Sequence, residues 1–210
     1  MPIVSEEAIA RVAKQAEMGA TYLVLMSTAG VLAAVALLTN SIPVLIGAMI
    51  VAPAFAPLAL VAFALAGGNP ALAFRGFVVA AVGLGIATAF AMLTTWIMNA
   101  FDVLPAHTNL LNKELLEERV TPGWWSVAAA LAAGIAGTLA LAENKGDTII
   151  GTVAALALVP AAGAAGIALM SQDPARALGG LLLLGINVGL IVLMGIVTLL
   201  ILRPERQRQE

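Results

Sequence analysis

The stretch "NSIPVLIGAMIVAPAFAPL", residues 40–58, decides how the whole chain is read. It is oily enough for a bilayer, yet it carries Pro43, Pro53 and Pro57. Proline removes a backbone donor and its ring clashes with the carbonyl four residues earlier, so helix interiors avoid it. Pro53 falls about 11 residues into an apolar segment that opens near Ile42, roughly 16 Å at helical rise and close to a bilayer's middle. The stretch therefore reads as a membrane helix interrupted at mid-depth.

The composition around it agrees. Of 210 residues, 61% are hydrophobic and 10% charged, and the mean hydropathy is +1.03, well outside the mix of a soluble domain. This is the profile of an integral membrane protein, with the lipid bilayer as its first partner. The net charge is −2 and no basic run occurs, so no nucleic acid partner is expected. Cysteine is absent, which removes disulfides and thiolate metal sites. The charged stretch "SEEAIARVAKQAE" precedes the first apolar segment and five more segments follow, a pattern unlike a cleavable signal peptide.

A spanning helix needs about 20 apolar residues. Six segments qualify, near 18–39, 42–66, 76–99, 123–142, 148–171 and 177–202, and the charged side chains lie outside them or at their ends. With both termini in the cytoplasm, the inner loops and tails collect seven Lys/Arg and the outer ones three, which favours that orientation in the cell membrane. Two further segments read as amphipathic and non-spanning. Residues 1–17 place Ile9, Val12 and Ala16 on one helical face and suit a helix at the inner surface. The connection 102–122 has a cap candidate at Thr108 or Asn109, apolar Leu111, Leu115 and Leu116, and a stop at Pro122. Trp124 and Trp125 then fall where aromatic anchors belong.

Shifting the chain on itself by 104 positions superposes its halves. Asn40 falls on Asn144, Ile46-Gly47 on Ile150-Gly151, and "GGNPALAFRG" on "SQDPARALGG". Between 40–76 and 144–180 there are nine identities in 37 positions, where an Ala-, Leu- and Gly-rich background gives roughly three or four. Three spans per unit, 18–101 and 123–203, with a tail at 204–210, make the second copy cross in the opposite sense. The expected fold class is thus all-α, a polytopic 3+3 inverted-topology repeat with proline-broken second and fifth helices. Such repeats place sites near the bilayer midplane, and paired broken helices are their best sequence pointer.

Pro160, in "TIIGTVAALALVPAAGAAG", supplies the second expected break at a depth matching Pro53. Prolines free carbonyls one turn earlier, and in lipid those groups need a neighbouring helix, a water or a solute. Asn187 and Thr88 fall at similar depth in the sixth and third spans and add polar side chains. The candidate site residues are Asn40, Pro53, Pro57, Thr88, Asn144, Pro160 and Asn187. Enzymatic chemistry is not expected. The single histidine, His107, lies in a connection, no carboxylate lies within a span to support it, and no helix carries metal-ligand spacing. No cofactor or metal follows from these residues.

Five motifs in order carry a family resemblance: the opening stretch, then "GGNP", "RVTPGWWSVAAALAAGIAG", "LVPAAGAAGIAL" and "GINVGLIVL". Over about residues 20–200 the chain resembles the integral membrane family called domain of unknown function 389. It departs from that pattern at Asn40-Ser41-Ile42-Pro43, where relatives read "NSP", and at Val159-Pro160, where they carry two adjacent prolines. The resemblance implies fold and membrane location and leaves activity open. The expectation from the residues is a transporter or channel for a small solute or ion, with a pore within one chain or between subunits of a homo-oligomer. The rival from another class is a non-transporting membrane module that assembles through its small-residue faces.

Overall fold

The computed structural model describes residues 6–101, 114–121, 123–143, 147–171 and 175–206, and these are helical without strands. In chain order the helices are α1 (Glu6–Gln15), α2 (Ala20–Thr39), α3 (Ile42–Val51), α4 (Phe55–Ala66), α5 (Pro70–Ala100), α6 (Glu114–Val120), α7 (Trp124–Glu143), α8 (Asp147–Leu169) and α9 (Ala175–Arg206). Four of them, α2, α5, α7 and α9, are long and apolar enough to cross a membrane. The pair α3 and α4, bent by 49° at a short break, makes a fifth candidate. Large apolar side chains such as Phe74, Phe77, Trp96 and Leu182 are exposed on the bundle's outside. A contiguous coat of that kind suits lipid better than water.

Local chemistry sets the ends. Asn40 closes α2 in the left-handed region, φ 55°, a conformation asparagine tolerates better than most residues. The "GGNP" motif is a turn and a cap in four residues. Gly68 takes φ 76°, the Asn69 side chain accepts from Leu72 N–H at 3.0 Å, and Pro70 opens α5, where its missing donor costs nothing. That cap starts α5 at Pro70, earlier than the apolar run near residue 76 suggests.

Small residues set the packing. A methyl built at Gly30 of α2 would collide with the Ala87 carbonyl of α5, and one at Gly134 of α7 would lie 2.9 Å from the Ile191 carbonyl of α9. Tyr22 donates to Val79 O at 3.1 Å and lies on Gly83, so α2 and α5 run parallel. Gly195 beside Thr138 likewise makes α7 and α9 parallel. The chain returns between each pair, through α3–α4 and through α8. Gly76 of α5 sits on Val61 of α4 as Gly180 of α9 sits on Ala165 of α8. The Gly134–Ile191 and Gly180–Ala165 contacts stand 104 positions after Gly30–Ala87 and Gly76–Val61, and α7 begins 104 positions after α2 and has the same length, 20 residues.

One expectation is corrected. The fifth apolar segment is not broken: α8 runs unbroken through Pro160. Every residue from Leu158 to Ala168 is buried, and α8 packs on α2, α3, α5, α7 and α9. A lone proline removes one intrahelical bond, and a helix wrapped on all sides by neighbours bends around that loss. The break before α4 has two prolines one turn apart, Pro53 and Pro57, which delete two donors on one face.

The amphipathic segments dock on protein. Val12 of α1 and Ala16, just past its end, are buried, and Ile9 lies on Gly67 at the end of α4. At the opposite end of the bundle α6 buries Leu116 and Val120. It ends two residues before Pro122, as the expected stop requires. Its expected caps Thr108 and Asn109 lie outside the described residues.

Candidate functional site

The site is built from the α3–α4 break. Ala52, preceding Pro53, is held extended at φ −76°, ψ 118°, as steric pressure from a following proline ring demands. Ala54 returns to helical angles, φ −76°, ψ −20°, and α4 starts with no side-chain cap. Pro57 occupies the first turn of α4, where its missing N–H is one of the helix's free donors anyway. Ala52, Ala54, Phe55 and Leu58 are all buried. The last carbonyls of α3 and the first N–H groups of α4 therefore leave intrahelical bonding where the protein largely covers them, Val51 and Pro53 being half-buried. The partial negative end of one helix meets the partial positive end of the next. An arrangement of that kind can coordinate a cation through carbonyls, or a polar solute through both.

The walls are defined by neighbouring helices. The Phe55 ring lies on Gly137 of α7, where a methyl would strike it. Further along α4, Ala62 and Thr138 of α7 both press on Gly195, whose added Cβ would sit 2.9 Å from Ala62 Cβ and 2.8 Å from Thr138 Oγ1. Pro57 carbonyl oxygen faces Gly76 of α5 at 2.8 Å from such a Cβ.

The other candidates divide into two groups. Thr88, half-buried on α5, places its hydroxyl 2.9 Å from Leu84 O and 3.2 Å from Ala162 O, two residues past Pro160. It thus joins α5 to α8 beside the proline. Asn187 is 1% exposed, on the inward stripe of α9 that also carries Leu183, Ile191 and Thr198. Gly180 meets Ala165 across the α8–α9 hairpin, so seven residues on Asn187 comes level with Leu158, next to Pro160. Thr88, Pro160 and Asn187 are thereby gathered around the middle of α8. Asn40 is not among them. It is exposed at the end of α2, where its Oδ1 accepts from Leu115 N–H of α6 at 3.0 Å. Asn144 and His107 lie outside the described residues.

Four buried groups among the described residues were not singled out from sequence: Tyr22, Thr95, Thr138 and Thr198. Tyr22 is the chain's single tyrosine and stands in an apolar span, which is the signal that marks it. Thr95 donates to Ala91 O in its own helix and needs no other partner. No group of three or more His, Asp or Glu that could hold a metal occurs among the described residues.

Residues 49–193 match the family described as Domain of unknown function (DUF389). A curated relative, named as an uncharacterized protein of Methanocaldococcus jannaschii, is 27% identical over 158 residues. That alignment covers 75% of this chain and 47% of the relative, so the chain spans about half the length of the protein it matches. No solved structure matches.

Proposed function

The chain belongs to the DUF389 family, and on that premise we propose that it is a membrane transporter or channel for a small solute or ion, with its site at the α3–α4 break. The observation that carries the proposal is the burial of the break itself. An unsatisfied backbone group in an apolar interior costs several kcal/mol, and a helix is the usual way to avoid that cost. Giving up helix at Ala52–Ala54, where the surroundings are apolar, is reasonable if those groups hold something polar in transit. Among the described residues no charged side chain is buried, so backbone groups and the amide of Asn187 would do the recognising. That suits a neutral solute or a modestly dehydrated ion.

The finer architecture follows the same reading. Six spans arise if α3–α4 counts as one and the 23 residues of α8 as another. Matched contacts 104 positions apart support a 3+3 inverted repeat, with the Lys/Arg balance placing both termini in the cytoplasm of a multi-pass cell-membrane protein. Six spans enclose little volume, and a homo-oligomer would supply the rest of a pore wall.

The test is flux into proteoliposomes across monovalent ions, small anions and neutral solutes, with Asn187→Leu in parallel. Selective flux that the substitution changes is the expected result. Absence of flux from folded, inserted protein would overturn the proposal in favour of a non-transporting assembly module.

A further inference from the structure

The repeat extends beyond the spans. Val12 of α1 and Ala16 just past its end, both buried, stand 104 positions before Leu116 and Val120, the buried face of α6. Their docking is reciprocal. Arg11 of α1 donates to Leu141 O, in the last turn of α7, at 2.8 Å. Leu115 of α6, which is Arg11's counterpart, donates its N–H to Asn40, the residue that ends α2. Since α7 is the counterpart of α2, each amphipathic helix closes the end of the other half's first span. Arg11 adds a formal charge at the negative end of the α7 dipole, where a cation stabilises most.

The two closures cover different seams. α1 bridges the ends of α4 and α7, through Ile9 on Gly67 and Arg11 on Leu141 O, and those two helices meet deeper in the bundle where Phe55 rests on Gly137 just beyond the break. Under α6 lies the contact of α2 with α8, where Gly163 allows Ala33 to approach so closely that an added Cβ would stand 3.3 Å from it. On the α1 side an aromatic ring rests on a glycine, with Ala62 and Thr138 meeting at Gly195 further along, whereas on the α6 side small residues of α2 and α8 meet directly.

We propose that α1 and α6 are twin end-gates of this protein, and that release of α1 opens the α4–α7 seam so that the break becomes accessible from the face bearing the N-terminus. The proposal deepens the transport reading by naming its access route. The latch on the α1 side is Arg11 on Leu141 O with Ile9 on Gly67, and the latch on the other side is Asn40 on α6.

The natural absence of cysteine makes the test direct. Ala54→Cys places one thiol in the break, and Ala33→Cys places a control in the closed α2–α8 seam. Each protein is reconstituted, and its reaction with a membrane-impermeant thiol reagent is timed from either face. Adding Arg11→Ala is expected to speed labelling at position 54 about tenfold or more from the N-terminal face alone, the order set by loss of one charge-assisted hydrogen bond. Arg11→Lys, which keeps a donor and the charge, should stay near the parent rate, and position 33 should stay protected. Unchanged labelling in Arg11→Ala, equal acceleration from both faces, or exposure of position 33 would each overturn the proposal. Labelling reports access whether or not solute moves. Face-specific labelling without flux would therefore refute transport and leave the gates standing.

Discussion

At the scale of single residues, glycine and asparagine do different kinds of work in this bundle. Gly30 and Gly134 bring helix backbones together at equivalent places, so each should respond alike to a methyl group. Gly30→Ala and Gly134→Ala are each expected to destabilise by about 1–3 kcal/mol, the usual range for overpacking, in thermal unfolding of detergent-solubilised protein. Gly47→Ala meets nothing within 4 Å and should be neutral or slightly stabilising. Asn187, buried at the level of Pro160, and Asn40, exposed at a helix end, were indistinguishable as polar residues in apolar surroundings. Asn187→Leu should change flux at the site itself. Asn40→Leu should instead loosen α6, read as faster proteolysis of the 102–122 connection. Depth along a span is visible in sequence, whereas which face of the span turns inward is weakly marked here, because alanine and glycine occupy all faces.

At the scale of elements, three prolines give two outcomes. Pro53 and Pro57 together end one helix and start another, and Pro160 alone sits inside a continuous one. Restoring one donor should therefore matter differently. Pro160→Ala is expected to leave fold and melting temperature nearly unchanged, shifting stability by less than about 1 kcal/mol, because the neighbours of α8 already accommodate its path. Pro53→Ala is expected to bias α3–α4 towards a straight helix and to lower flux while the protein stays folded, checked by paired flux and circular dichroism. Flux at the parent level in Pro53→Ala would show that the break serves packing alone. The existence of both proline segments was legible in sequence. Their divergence was not, since it depends on how completely each helix is surrounded.

At the scale of the whole molecule, the decisive question is whether the two halves are mounted in opposite senses. Single cysteines in place of Asn40 and Asn144 are expected to label from opposite sides of the membrane, measured in right-side-out and inverted vesicles. Labelling of both from one side would sink the inverted repeat. Parallel packing of α2 on α5 and of α7 on α9 requires the chain to return between them, as the repeat demands. The docking of α1 by the ends of α4 and α7, and of α6 by the end of α2, places the two amphipathic helices at opposite ends of the bundle.

By itself the sequence determined the all-helical character, the apolar segments long enough to cross a membrane, the approximate ends of the long helices, the break at Pro53 and the 104-residue recurrence. These depend on hydropathy, on proline geometry and on spacing, all of which act locally along the chain. Tertiary structure alone decided that α8 survives its proline, that Asn40 fastens an amphipathic helix and leaves the interior to Asn187, and that α1, docked on α4, is tied to α7 by one hydrogen bond as α6, docked on α8 and α9, is tied to α2. Those outcomes rest on contacts between residues far apart in the chain, where small side chains let backbones meet and where surrounding helices settle which local irregularity is kept.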